Sequence, residues 1–408
     1  MNKKQVLYLS YDGMTDPLGQ SQVLPYLIGL SKHGYSFTLI SCEKKERFYQ
    51  NKAAIEQICS DNNIDWQPIF YSKKPPILST VWDVYQINRK AKNLHKKKQF
   101  QLVHCRSYIP SLIGLGLKKI YNVKFIFDMR GFWADERVDG GLWNLNHPLF
   151  KMVYNFFKTK EKEFLTHADK VISLTQSGKQ EMLMWKVNGL SAEKIEVIPC
   201  AADYDLFELI NQEKRTQAKL KHGLHFTQFV LGYVGSLGTW YLVDEMLLFF
   251  SVLKRKYTDA KFLFITPDDK EQLISLGKKY QLDADDFIVK FSARKDIPSI
   301  AHAFDFSIFF IETSYSKKSS SPTKMGELLA MGIPLICNSN VGDVEEIMTK
   351  TKAGFCLNTL IDSKFVEVVE QLSDWNVSTP LERREASKQY YDLKLGVKSY
   401  LAVYRQLL

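Results

Sequence analysis

The sequence predicts an α/β protein built from two doubly wound domains, and three observations carry that prediction. Its 408 residues exceed what one hydrophobic core usually organises. Short apolar runs alternate with amphipathic, helix-length stretches along the whole chain, the rhythm of βαβ units around a parallel sheet. The alternation also starts afresh near residue 229. The composition, 45% hydrophobic and 25% charged, is that of a packed globular protein.

In the first half, Gln5–Ser10 reads as a buried strand. A loop over 12–22 follows, then a helical stretch over Gln22–His33 and a strand at Phe37–Ser41. Leu102–Cys105, Lys124–Asp128 and Lys170–Leu174 are further strands. The second start is Phe229–Val234, followed by Gly235-Ser-Leu-Gly and a long apolar helix, Val243–Leu253. Lys261–Thr266, Phe287–Phe291, Asp305–Ile311 and Pro334–Asn338 continue the pattern. The expected division is 1–203 and 204–385, with 386–408 a terminal helix returning to the first domain. Ligands of such sheets lie beyond the carboxyl ends of the strands, so a ligand is expected in a cleft that the two domains face.

Charge is unevenly spread. Residues 1–203 hold 29 Lys and Arg against 19 Asp and Glu, whereas residues 204–408 hold 26 of each. The entire net charge of +10 therefore sits in the first half, which points to an anionic partner there. Lys73-Lys74, Lys96–Lys98 and Lys118-Lys119 supply much of it. The helix over 147–162 combines Phe150, Val153, Tyr154 and Phe157 with Lys151, Lys158, Lys160 and Lys162. It reads either as a surface for an anionic membrane or as a core-facing helix with a solvated basic side. Nucleic acid is not expected, since no helix-turn-helix, zinc finger or RNA-binding aromatic signature is present.

Five mostly apolar residues after Met1–Gln5 are too few for a signal-peptide core, and no apolar run reaches membrane-spanning length. The six cysteines are scattered without a CxxC pair. The expectation is a cytoplasmic protein with free thiols, peripheral at most on the inner membrane face.

The most informative stretch is Lys317–Glu346. Ser319-Ser-Ser-Pro-Thr-Lys opens a helix over Met325–Met331, and Gly332 ends it. Free amides at that N-terminus favour an anion, and Ser320, Ser321, Thr323 and Lys324 add donors and a charge. Glu327 lies one turn deeper, where a carboxylate accepts sugar hydroxyls. The same pattern also describes an ordinary capped helix with Glu327 solvated.

Glu327-Leu-Leu-Ala-Met-Gly-Ile-Pro-Leu-Ile, with Asn340-Val-Gly-Asp-Val-Glu-Glu-Ile after it, resembles the C-terminal donor site of family 4 glycosyltransferases. Tyr11–Gln22, His167–Thr175, Ile195–Asp203 and Gly232–Gly238 resemble further motifs of that family, in the same order and over nearly all of the chain. The resemblance implies the GT-B fold, two Rossmann-like domains facing a cleft. It further implies a retaining transfer of a hexose-type sugar from a UDP- or GDP-linked donor, with no cofactor and no obligatory metal. A glycan or lipid-linked saccharide is the implied acceptor, and cell-surface polysaccharide synthesis the implied setting.

By the resemblance, Gly19, Gln20, Gly235, Ser236 and Arg294 join Ser320, Ser321, Thr323, Lys324 and Glu327 on the donor. Two departures stand out. Ser319 occupies the position of the family's first glutamate, and Ser236 with Thr239-Trp-Tyr replaces its diphosphate-clamping Arg and Lys. Lys324 is the expected replacement on the leaving diphosphate.

Asp128, Arg130 and Glu136 follow a buried strand, where charge is costly unless used. By the resemblance, Asp128 is the candidate for taking or orienting the acceptor's proton, and Arg106 lies on the acceptor side; Arg130 is the candidate for steadying Asp128 or binding an acceptor phosphate, and Glu136 for the acceptor. An Asp128–Arg130 or Arg130–Glu136 pair that only holds the loop is the structural alternative. Asp268-Asp269 and Asp285-Asp286 read as helix caps and not as a metal-binding acidic pair. A nucleotide-sugar epimerase and a silent binding scaffold remain rival readings.

Overall fold

The computed structural model describes residues 3–408, which form two compact units. The first comprises the chain up to Pro199 together with Lys318–Ser320 and Leu393–Leu408. The second comprises Cys200–Lys317 and Ser321–Asp392.

The first unit holds eight strands: β1 (Lys4–Ser10), β2 (Tyr35–Glu43), β3 (Ile64–Trp66), β4 (Ile69–Phe70), β5 (Leu102–Arg106), β6 (Lys124–Asp128), β7 (Lys170–Ser173) and β8 (Ile195–Val197). Their order is β3-β2-β1-β5-β6-β7-β8, with β4 beside β2, and every pair is parallel. Helices cover both faces of such a sheet, so its strands are apolar on both sides. Val6, Leu7 and Leu9 of β1 and Phe125, Ile126 and Phe127 of β6 are accordingly fully buried. The helix Tyr108–Tyr121 buries Ile109, Ile113 and Leu117 at four-residue spacing, and Asn122 ends it in the left-handed conformation.

The second unit holds β9 (Val230–Val234), β10 (Lys261–Ile265), β11 (Phe287–Lys290), β12 (Phe306–Phe309), β13 (Leu335–Asn338) and β14 (Gly354–Leu357). The order β11-β10-β9-β12-β13-β14, again all parallel, is the 3-2-1-4-5-6 order of a Rossmann domain. Strand order reverses beside β1 in the first unit and beside β9 in the second. Each switch point leaves a crevice at the ends of its own unit's strands, and the site residues of that unit gather there.

Three boundaries differ from expectation. The units divide at Pro199/Cys200 and not after Asp203, because Ala202 N–H donates to Tyr391 O at 2.7 Å and ties this segment to the second unit. The terminal helix is two helices. A Thr379–Glu382 capping box starts Pro380–Tyr391, which stays in the second unit, and Leu393–Leu407 belongs to the first. The loop expected over 12–22 turns helical at Pro17.

The helix Pro148–His167 settles between its two readings. Phe157 is buried, and Val153 and Tyr154 pack on the core. Lys158 bridges Asp135 at 2.9 Å and Glu161 at 2.6 Å. Of the apolar set named from the sequence, Val153, Tyr154 and Phe157 therefore face inward. No helix among the described residues is long and apolar enough to cross a membrane.

Candidate functional site

In the second unit the helix Thr323–Ala330 starts beside the loop that follows β9. Pro322 occupies its N-cap and no side chain caps it, so its first amides are unclaimed by side-chain oxygens. Gly326 lets this helix lie close to its neighbour, since a Cβ there would sit 2.8 Å from the Tyr391 ring. Lys324 is 8% exposed, and its Nζ has no hydrogen-bond partner. The ammonium is held over two aromatic faces, 4.0 Å from the Tyr233 ring centroid and 3.6 Å from that of Tyr241. A Cβ built on Gly235, at φ +111°, would lie 3.2 Å from Nζ, so the glycine keeps the approach to the ammonium clear. Burial pulls the Lys324 pKa well below the ordinary lysine value, with Glu327 opposing it in part.

Glu327 is 5% exposed and accepts from Arg294 Nη1, whose guanidinium lies over the Phe207 ring. Burial raises the Glu327 pKa, and the Arg294 charge works against that rise. The structure thus brings Gly235, Arg294, Lys324 and Glu327 together. Ser236 is exposed, and its Oγ accepts from Gly238 N–H at 3.2 Å. Ser321 Oγ accepts from Cys200 N–H at 3.2 Å, while Ser320 and Thr323 are half-buried at the helix start. Lys254 pairs with Asp286 at 2.6 Å. A cavity of ≈470 Å³ beside the Gly235 loop is lined in part by Asp244, Glu245, Asp268 and Asp269. That acidic wall is a poor place for a diphosphate.

In the first unit, β1 and β5 end side by side with Ser10 opposite Arg106. Arg106 is 4% exposed; its Nε donates to Asp12 Oδ2 at 3.0 Å, and its Nη1 has no hydrogen-bond partner. Asp128, at the end of β6, is fully buried. Its Oδ2 accepts from Tyr400 Oη at 3.0 Å and lies 3.3 Å from His104 Nε2, while Arg130 Nη1 stands 3.8 Å from Oδ1. Burial pushes the carboxyl pKa up, but Arg130 and then His104 outweigh it and leave it below the ordinary value. Burial lowers the His104 pKa, against the pull of Asp128, and so favours the neutral ring. It donates from Nε2 to Asp128 and accepts at Nδ1 from Tyr404 Oη at 2.8 Å.

Four sequence expectations change against this geometry. Asp128 is sealed within a Tyr–His–Asp–Tyr network and does not present an oxygen to an acceptor hydroxyl, so its place is that of a positioning carboxylate. Glu136 stands half-buried in the first turn of Trp133–Asp139, whereas the buried acid of that turn is Asp135, held by Tyr154 Oη at 2.8 Å and Lys158. Gly19 serves its own loop: a Cβ there would lie 2.2 Å from Gly13 O. Gln20 Nε2 donates to Thr15 O at 3.3 Å, inside the same turn. Arg130 stays at the site, at φ +56° and followed by Gly131 at φ +113°, a strained turn that aims its side chain back along the strand end.

Ser319 is 2% exposed and accepts from Phe132 N–H at 2.9 Å, so the hydroxyl at the family's first-glutamate position caps an amide. Asp269 caps Lys270–Gly277, and Asp286 completes a capping box with Asp283.

Sequence reasoning missed Glu43, at the end of β2. Its carboxylate is fully buried and takes Met14 N–H at 2.7 Å, Thr15 N–H at 3.1 Å and Thr15 Oγ1 at 2.6 Å. The rule that singled out Asp128, a charge directly after a buried strand, applies to Glu43 equally. Tyr233, Tyr241, Tyr400 and Tyr404 carried no signal, because their partners are distant in the chain.

Two Rossmann-like domains, each with charged side chains gathered at its switch point, define a doubly wound α/β protein with a candidate site at the strand ends of each domain. The Glycosyltransferase Family 4 model matches residues 23–206. No curated protein matches the sequence. Among solved structures, the chain is similar to sucrose-phosphate synthase from Thermosynechococcus elongatus, with a TM-score of 0.74 and 14% identity over 99% of both chains. It is also similar to Anabaena HepE in complex with UDP and glucose, with a TM-score of 0.69 and 14% identity over 99% of both chains. A glycosyltransferase from Rickettsia africae aligns at 0.68 and 17% identity, over 100% of this chain and 99% of that one. At these identities the structures establish the fold. The chain thus has the GT-B fold of these structures, and its residues 23–206 match the Glycosyltransferase Family 4 model.

Proposed function

We propose that this protein is a glycosyltransferase that moves a hexose-type sugar from a UDP- or GDP-linked donor to a glycan or lipid-linked saccharide, with retention of configuration, in cell-surface polysaccharide synthesis. The donor sits on the second unit. The observation that carries this reading is Lys324, a buried cation without an acceptor at the mouth of an uncapped helix and directly under Gly235. Burying an ammonium without an anion is costly, and a diphosphate supplies the missing partner. The same ammonium then faces the negative charge that grows on the leaving diphosphate as the glycosidic bond breaks. Glu327, one turn deeper and steadied by Arg294, is placed for ribose hydroxyls. On the first unit, Arg106 and Arg130 are the groups that would meet the acceptor, with Asp128 holding Arg130 in position. Charge on the diphosphate is handled in this reading by Lys324 and helix amides, without an obligatory metal.

Lys324→Met, which keeps the bulk and removes the charge, is expected to lower kcat/KM by about 10²- to 10³-fold, the usual effect of deleting one charge-stabilising donor. Glu327→Gln is expected to weaken donor binding by about 10- to 100-fold, from loss of charge-assisted hydrogen bonds. A panel of UDP- and GDP-sugars, scored for binding by calorimetry and for transfer by product analysis, is the test. Unchanged turnover in both variants would remove the donor site from this helix. Binding without transfer to any acceptor would favour a silent scaffold, and isomerised nucleotide sugar an epimerase.

A further inference from the structure

The helix Leu78–Lys98 is amphipathic in the inverse sense. The face it turns to the protein carries Ser79, Asp83, Ile87, Ala91 and His95 at four-residue spacing. Asp83 is buried there and accepts from Tyr11 Oη at 2.8 Å and Ser72 N–H at 3.1 Å. The face turned to solvent carries Leu78, Val81, Trp82 and Tyr85, which are 67, 60, 55 and 52% exposed. Their spacing of three and four residues lines them up as one stripe, and the Trp82 and Tyr85 rings stack at 5.5 Å. Scattered exposed apolar residues are ordinary, but a contiguous stripe of large ones marks a docking surface.

The charges around the stripe say what it docks to. Between Tyr71 and Lys98 the only acid is Asp83, and it is buried. Lys90 turns inward to Pro68 O at 3.2 Å, and Lys98 pairs with Asp65 at 2.5 Å. Lys73, Lys74, Arg89, Lys92, Lys96 and Lys97 remain without an ion-pair partner among the described residues. They flank the stripe on both sides, Lys73 and Lys74 before its first residue and the others after its last. An apolar stripe with Trp and Tyr, bounded by cations and free of acids, matches the interface of an anionic bilayer. There, aromatic rings sit at headgroup depth while long basic side chains reach phosphates. A protein partner would have to be acidic and apolar together, whereas a lipid surface supplies both at once.

We infer that the solvent face of Leu78–Lys98 is a peripheral membrane-binding surface for anionic lipid. It stands on Leu78, Val81, Trp82 and Tyr85 with the flanking cations, independently of the donor-site reading.

The test uses the full chain and co-sedimentation with phosphatidylcholine vesicles, with and without phosphatidylglycerol. Binding is expected only with the anionic lipid, and it should weaken as salt rises. Trp82→Ser with Tyr85→Ser is expected to lower partitioning at least about 10-fold. Lys73→Glu with Lys74→Glu should lower it about 10-fold and flatten the salt dependence. All four positions are exposed, so nucleotide binding measured by calorimetry should stay at the parent value and report an intact fold. A parent protein that stays in the supernatant with anionic vesicles at low salt would overturn the inference. So would a Trp82/Tyr85 variant that binds like the parent. A concentration-dependent dimer abolished by that variant, without lipid binding, would assign the stripe to a second copy instead.

Discussion

Lys324 is the residue whose environment says most. In the free protein its burial pulls the pKa far down, while a bound diphosphate would favour the ammonium and raise it again. Between those two values, donor binding takes up a proton, and affinity falls as pH rises through the free-state value. Calorimetry of UDP binding in two buffers of different ionisation heat should therefore show net proton uptake, and Lys324→Met should abolish it. Equal uptake in the variant would place the titrating group elsewhere. The linkage to folding has the opposite benefit. The unfolded chain keeps this proton to higher pH than the folded one, so the cost of burying the ammonium is relieved as pH rises through the folded value. Lys324 and Glu327 were legible in the sequence because they lie within one helical turn of each other. Tyr233 and Tyr241, which cage the ammonium, were not, since one comes from a strand 91 residues earlier and the other from a loop 83 residues earlier.

Among the elements, the turn between β1 and the helix Pro17–Gln22 shows how a motif changes meaning once it is folded. Two glycines after a strand suggest close approach to a ligand. Gly19 instead leaves room for the carbonyl of Gly13, and Glu43 pins the turn through Met14 and Thr15. Gly19→Ala is thus expected to destabilise the nucleotide-free protein by more than about 2 kcal/mol, because a Cβ cannot be fitted without moving backbone. Urea unfolding followed by circular dichroism measures this, and an unchanged midpoint would return Gly19 to a purely ligand-facing role. The strands themselves were legible because a parallel sheet buried on both faces demands continuous apolar runs. The short edge strands Ile64–Trp66 and Ile69–Phe70 were not, having too few residues to show a pattern.

At the scale of the molecule, the last helix joins the start of the chain to its end. Leu393–Leu407 belongs to the first unit, where Tyr400 and Tyr404 close the buried network of His104 and Asp128. Truncation after Asp392 would leave that carboxylate with fewer donors and open the network to water, a loss of about 1–3 kcal/mol for each unsatisfied group. The first unit is expected to melt earlier, while UDP affinity, which the proposed donor site assigns to the second unit, is expected to stay within about threefold of the parent, as for distant independent sites. Differential scanning calorimetry with and without UDP separates the two, and a truncated chain that has lost UDP binding would contradict that independence.

By itself the sequence determined two α/β domains, a basic first half, a helix opening with Ser-Ser-Pro-Thr-Lys before Glu327, and a charged end to β6. All of these are local patterns: period, composition, or residues within a turn of one another. The tertiary structure alone decided that Asp128 is sealed and not presented, that Ser319 caps an amide, and that Trp82 and Tyr85 face outward while Phe157 faces inward. Each of those depends on which distant side chain fills the space opposite, and no periodicity records that.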